Sequence, residues 1–183
     1  MTHASISQTF HSKHQALDII SRQKETVGGY GTPLCAPEAC RVLSIIGDSY
    51  TPESHAELEH GYGIWLKGLE TGFTHLYWHV LPILPVSEGQ VVTRGQIVAY
   101  MGNAGNVLSN NVYVPLESRT KNPYPGTHLH WEMFNPQYTL GKTKNKYVLN
   151  PLNYLGAEEP YYSIADQLKA IAVVISKILA ITK

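Results

Sequence analysis

Three short clusters in this sequence carry residues able to do acid–base or metal chemistry. The sharpest is Gly126-Thr127-His128-Leu129-His130-Trp131-Glu132-Met133. In a β-strand, alternate side chains share a face. His128, His130 and Glu132 would then project one way, with Leu129, Trp131 and Met133 turned toward a core. The H-x-H pattern alone leaves two readings open, a metal site or a solvated polar face. The second cluster is His14-Gln15-Ala16-Leu17-Asp18. Imidazole nitrogen and carboxylate oxygen are both normal zinc ligands, and catalytic zinc sites take three protein ligands and keep a further position open. His14, Asp18 and one histidine of the strand make such a set, although H-x-x-x-D by itself arises often by chance. The third cluster is Tyr77-Trp78-His79, at the end of a segment starting near Thr74. Alternation puts Tyr77 and His79 on one face, and a lone strand histidine is usually structural.

The elements that must position these residues are mostly short strands. Leu34 to Ile46, Gly63 to Leu69, Thr74 to Val80, Gln96 to Met101 and Leu129 to Met133 are rich in β-branched, aromatic and large apolar residues. Turns such as Ser87-Glu88-Gly89 and Gly102-Asn103-Ala104-Gly105 separate them. Many strands with short connections imply an antiparallel sandwich or barrel-like sheet. Two stretches are long for such a domain: Asp48 to His60, and the polar, proline-bearing run from Asn106 to Gly126. Loops of that length inside a compact domain are uncommon and often functional, surface decoration being the alternative. Tyr113, Tyr124 and Arg119 make the second loop a candidate wall of a substrate groove. After Asn150-Pro151 the pattern changes. Ile164, Leu168, Ile171, Ile175 and Ile178 recur at intervals of four and three, with Asp166, Lys169 and Lys177 opposite, which predicts an amphipathic C-terminal helix.

Composition excludes several classes. The 183 residues are enough for one domain with a real core, and 43% of them are hydrophobic. Fourteen basic residues balance fourteen acidic ones, so bulk charge argues against a nucleic-acid partner. Twelve tyrosines against three phenylalanines suit a half-wet groove. The most apolar stretch, Ala170 to Ile181, is too short for a membrane span and is broken by Ser176 and Lys177. The opening MTHASISQTFHSKH lacks the basic and apolar regions of a secretory leader.

Taken in order, the motifs resemble one family. His14-x-x-x-Asp18, G-T-P-L-C-A-P at 31–37, G-Y-G at 61–63, Y-x-H at 77–79, V-x-x-G-Q-x-V at 86–92, G-N-A-G at 102–105 and H-L-H-W-E at 128–132 are similar to the lysostaphin and LytM type of zinc peptidase. The likeness runs from Phe10 to Leu155. It implies a mainly β fold, an antiparallel sheet groove of the duplicated hybrid motif type, over residues 1–157, with the helical tail at 158–183 outside it. It further implies Zn2+ as cofactor, with His14, Asp18 and His130 in the positions of the ligands. His79 and His128 fall in the positions of the two catalytic histidines that do not bind metal. The implied substrate is bacterial peptidoglycan, cut at peptide bonds of its stems or cross-bridges outside the cytoplasm.

The resemblance fits elementary chemistry. Zinc with an open position makes water a nucleophile near neutral pH and polarises a carbonyl. Histidine titrates where protons must then move. Glu132 could orient a histidine from behind, a plain structural role being equally open. No H-E-x-x-H occurs, so the base is not the helix glutamate of that class.

Three departures from the family pattern stand out: the long segment SRQKETVGGY after Asp18, Cys40 where a glycine is usual, and the expanded loop before H-L-H. A catalytically inactive binding or activator module is the main rival, but such members lose ligands and all five residues are present here. A biotinyl-type carrier would need a lysine at its hairpin tip, and none lies between Lys67 and Lys121. A leaderless wall-cutting domain with an apolar tail suits a phage enzyme delivered by the virion or released through a holin; a processed bacterial fragment fits nearly as well. The tail could pack on the domain, self-associate or attach to a larger assembly. Cys35 and Cys40 flank a turn, close enough for a disulfide or for two reduced thiols.

Overall fold

The computed structural model describes residues 4–21, 29–47 and 61–155. The amphipathic tail at 158–183, the Asp48 to His60 stretch and most of the SRQKETVGGY segment lie outside these residues. Twelve strands make up the described chain: β1 (Ala4–Gln8), β2 (Leu17–Ser21), β3 (Pro33–Cys35), β4 (Cys40–Ile46), β5 (Gly63–Gly68), β6 (Thr74–Trp78), β7 (Val91–Val92), β8 (Ile97–Tyr100), β9 (Leu108–Ser109), β10 (Val112–Tyr113), β11 (Leu129–Phe134) and β12 (Val148–Leu149). One short helix, α1 (Leu116–Lys121), lies between β10 and β11. Seven strands form the main sheet in the order β1-β2-β11-β6-β5-β4-β7, and β12 also pairs with β11. β3 pairs with β8, and β9 with β10, and every ladder is antiparallel. This is the antiparallel β fold expected from the strand pattern.

Period-2 alternation decides what each face of the main sheet carries. Leu17, Val42, Ile64, Leu66, Tyr77, Leu129, Trp131 and Met133 turn to one side and cluster with Leu34, Val98 and Ala99 of the β3–β8 pair. Ile64, Leu66 and Val98 are completely buried, so truncating any one to alanine removes roughly 1–5 kcal/mol of stability. The opposite face carries Trp65, Leu76, Trp78 and Phe134, joined by Tyr138. There the Phe134 and Tyr138 rings stack at 4.4 Å and 20°. Gly63 pairs with Trp78, and a Cβ at Gly63 would lie 2.5 Å from the Trp78 ring. Glycine at that position lets the indole lie flat across β5. The face that bears His130 and Glu132 is therefore paved with aromatic rings rather than bathed in solvent.

The strand reading needs three corrections. Leu34 to Ile46 is two strands, because Pro37 in the intervening turn cannot donate to a ladder. β1 and β2 precede the region read as strands. The run from Asn106 to Gly126 is not featureless, since it folds into the β9–β10 hairpin and α1. Both cysteines are free, Cys35 exposed and Cys40 buried.

Candidate metal centre

Asp18 reaches the site because its neighbours do not. Leu17 and Ile19 pack toward the main core, so the intervening side chain must project from the other face. β2 pairs with β11 so that Asp18 lies directly opposite His130. His14 arrives by a tight turn: the backbones of His11 and His14 exchange hydrogen bonds of 2.8 and 3.0 Å. The spacing H-x-x-x-D is thus a turn entering a strand and not two residues on one helix face. His14 Nε2 lies 3.1 Å from Asp18 Oδ1, and His130 Nδ1 lies 2.9 Å from the same oxygen. The two imidazoles meet edge to face at 5.0 Å. His14, Asp18 and His130 offer donor atoms all within 4.8 Å of one another and could hold a metal ion.

Hydrogen bonding on the far side of the His14 ring fixes what it turns inward. A carbonyl oxygen only accepts, so each ring nitrogen against one is the protonated nitrogen. His14 Nδ1 donates to the Thr9 carbonyl at 3.2 Å. In its neutral form, His14 then aims a lone pair from Nε2 at the Asp18 carboxylate. A lone pair and an anionic oxygen at that distance repel unless a proton or metal cation lies between them. The donor set, two imidazole nitrogens and one carboxylate, fits zinc chemistry. His130 faces Asp18 with Nδ1, and its Nε2 lies 3.8 Å from Glu132 Oε1, beyond hydrogen-bond distance. Glu132 is buried and accepts from Trp78 Nε1 at 2.9 Å and from Lys144 Nζ at 3.2 Å. A carboxylate behind a ligating imidazole orients the ring and raises its basicity.

His128 and His79 stand on the other side of Asp18. His128 donates from Nδ1 to the Gly126 carbonyl at 2.9 Å, and its Nε2 lies 3.8 Å from Asp18 Oδ2. Burial pushes its pKa below the ordinary imidazole value, against the opposing pull of Asp18. Burial alone would raise Asp18, but the hydrogen bond from His130 and the charges of His128, His130 and His14 hold its carboxyl below the usual range. His79 is buried and donates from Nδ1 to the Ala104 carbonyl at 2.7 Å. Its ring lies 4.6 Å from that of His128 and 5.8 Å from that of His130. His79, His128 and His130 form a second, overlapping group able to hold a metal ion.

The structure brings all five sequence-predicted residues together, with one correction to the reasoning. Tyr77 and His79 do not share a face. Tyr77 belongs to the main core and donates its hydroxyl to the Cys35 carbonyl, whereas His79 has φ +60° just past the end of β6. That left-handed residue breaks the alternation and swings the imidazole toward those of His128 and His130. A non-glycine residue there is uncommon and is found preferentially at functional sites. Arg119 is also corrected. It is 3% exposed and does not line a groove, although Tyr113 and Tyr124 on the same insertion are exposed. Trp78 and Lys144, which hold Glu132, gave no signal in the sequence.

The family model for peptidase family M23 matches residues 12–148. Among solved structures, the catalytic domain of lysostaphin from Staphylococcus simulans is 17% identical, with a TM-score of 0.51, covering 85% of this chain and 89% of that one. LytU is 22% identical with a TM-score of 0.53, covering 84% of each chain. The antimicrobial peptidase lysostaphin as a longer chain is 15% identical with a TM-score of 0.53, covering 88% of this chain and 54% of that one. A search of curated proteins finds no match. By the match across most of its length, this chain belongs to peptidase family M23.

Proposed function

We propose that this protein is a zinc-dependent endopeptidase that hydrolyses peptide bonds in bacterial peptidoglycan, acting on the cell wall outside the cytoplasm. The observation that carries the reading is the convergence of His14 Nε2 and His130 Nδ1 on one oxygen of Asp18, each ring tied or flanked on its far side. His14, Asp18 and His130 would hold the zinc. When bound, zinc supplies Lewis acidity, which polarises a carbonyl and makes water nucleophilic at neutral pH.

The remaining steps belong to the chain's own residues. His128 and His79 each spend Nδ1–H on a backbone carbonyl, which leaves Nε2 as the working nitrogen. His128, whose burial favours the neutral form, is suited to accept a proton from the attacking water at Nε2. His79, on the far side of His128, is suited in its protonated form to stabilise the developing oxyanion, and His128 then passes the proton it took to the leaving amine. Such help contributes typically 10² to 10⁴ in rate. Glu132, clamped by Trp78 and Lys144, keeps His130 turned the right way. Peptidoglycan as substrate is supported by the family and by the likeness to lysostaphin. Digesting purified sacculi of several wall types and identifying the new termini tests this directly. New amino termini within stem peptides or cross-bridges are the expected result; intact sacculi alongside cleaved casein would redirect the assignment to another peptide substrate.

A further inference from the structure

The sequence makes the expanded loop before β11 a candidate groove wall, yet its one arginine is buried. Arg119 sits on α1, is 3% exposed, and forms no ion pair with any described residue. A buried guanidinium without a carboxylate is costly and persists only where its hydrogen bonds do something specific. Its Nη1 donates to the carbonyls of Asn103 and Gly105, the latter at 2.6 Å. Between these two residues lies Ala104, whose own carbonyl accepts from His79 Nδ1 at 2.7 Å. Three successive carbonyls therefore divide, two to Arg119 and the middle one to His79.

Other contacts grip the same turn. Ala104 is buried against Gly61, where a Cβ would come within 2.4 Å of the Ala104 carbonyl carbon, and Gly61 itself has φ +69°. Asn103 Nδ2 donates to the Pro123 carbonyl at 3.1 Å, which ties the turn to the end of the insertion. The Gly102 carbonyl accepts from the backbone N–H of His128. One four-residue turn thus touches both histidines that stand apart from Asp18's two nearest partners, and the insertion holds that turn from behind.

We infer that Arg119 is a positioning residue: it sets the 103–105 turn so that the Ala104 carbonyl holds His79 by its Nδ1–H, which makes Nε2 the nitrogen presented to the centre. This rests on the reading of His79 as a working group. The insertion would then tune the chemistry from behind, with Tyr113 of its hairpin set against the same guanidinium. Planarity matters here, since one guanidinium nitrogen spans two carbonyls in a fixed geometry that a lysine ammonium reproduces less well.

Two-bond proton–nitrogen correlation spectra of the imidazoles test it, with His79 assigned by the signals missing in His79→Asn. At a pH where His79 is neutral, wild-type protein is expected to show it as the Nδ1–H tautomer. In Arg119→Met that tautomer should lose its dominance, and kcat on a wall peptide should fall by about tenfold to a hundredfold, the usual cost of a misplaced group. KM should move by less than about twofold, as for an interaction made in the transition state. Zinc content should stay at the wild-type level. Arg119→Lys should fall between, and it decides the question together with the wild-type spectrum if Arg119→Met does not fold. A wild-type His79 in the Nε2–H form, or folded variants with unchanged tautomer and kcat, overturns the proposal. If the wild type cuts no wall peptide, the proposed function fails, while the tautomer comparison still judges Arg119.

Discussion

Two buried carboxylates in this protein look alike in burial and differ in their partners. Glu38, in the turn before β4, is 4% exposed and accepts from the backbone N–H of Glu70 at 2.9 Å, that of Thr71 at 3.0 Å, and the Thr71 hydroxyl at 2.5 Å. His75 Nε2 stands 3.7 Å away. Asp18 is 8% exposed, and among the described residues its carboxylate meets only the imidazoles of His14, His128 and His130. In both, burial would raise the pKa and the partners outweigh it, taking Glu38 down to about 2. Glu38 is satisfied by amide and hydroxyl donors that can do nothing else, so it latches the turn between β5 and β6 to the turn between β3 and β4. Two of Asp18's three imidazoles already spend a proton on a backbone carbonyl. That leaves more lone pairs than protons around one anion, and such a site calls for a cation. The identity of the donors, more than the depth of burial, separates a structural acid from one placed where a metal ion could be held.

Substitutions can break this contrast. The largest effect is expected at the metal side: His14→Ala or His130→Ala should abolish zinc binding and hydrolysis together, because three protein ligands leave none to spare. Metal analysis beside a turnover assay checks both at once. Next come His128→Ala and His79→Ala, which should keep the zinc and lose roughly 10² to 10⁴ in kcat. Loss of zinc from His79→Ala and His128→Ala with retention in His14→Ala would move the centre to the overlapping group of His79, His128 and His130. Glu132→Gln should weaken zinc affinity by about 10- to 100-fold, the usual weight of a carboxylate behind a ligand, measured by competition with a chelator.

The smallest functional effect belongs to the latch. Glu38→Gln should cost roughly 1–3 kcal/mol of stability while zinc content and kcat stay unchanged. Because the folded pKa of Glu38 lies below its ordinary value of 4.5, its contribution is complete above that pH and disappears as pH falls toward about 2. Denaturant unfolding across that window should show a steeper acid loss in wild type than in Glu38→Gln.

Much of the centre was legible because β11 obeys simple alternation: His130 and Glu132 on one face, Trp131 and Met133 on the other. The order of the motifs supplied the rest of the candidate ligand set. What escaped the sequence had physical reasons. β2 is short and follows a polar segment, so it gave no strand signal before its pairing with β11 revealed one. The orientation of His79 depends on a single positive φ, which no residue type there announces. Arg119 in a polar loop reads as surface, and only the tertiary fold brings two carbonyls to it. The clamp on Glu132 joins residues 54 and 12 positions away. Pro37, by contrast, is a break inside Leu34 to Ile46 that residue type alone announces.

The central claim is that Asp18, with His14 and His130, forms one zinc centre on which hydrolysis depends. Titrating zinc into metal-free protein while following cleavage of a wall peptide tests it most directly. Activity should start at background, rise linearly and level off at one equivalent of zinc per chain in wild type, with no rise in Asp18→Ala. Full cleavage by metal-free protein, or an Asp18→Ala variant that still activates at one equivalent, would contradict the account.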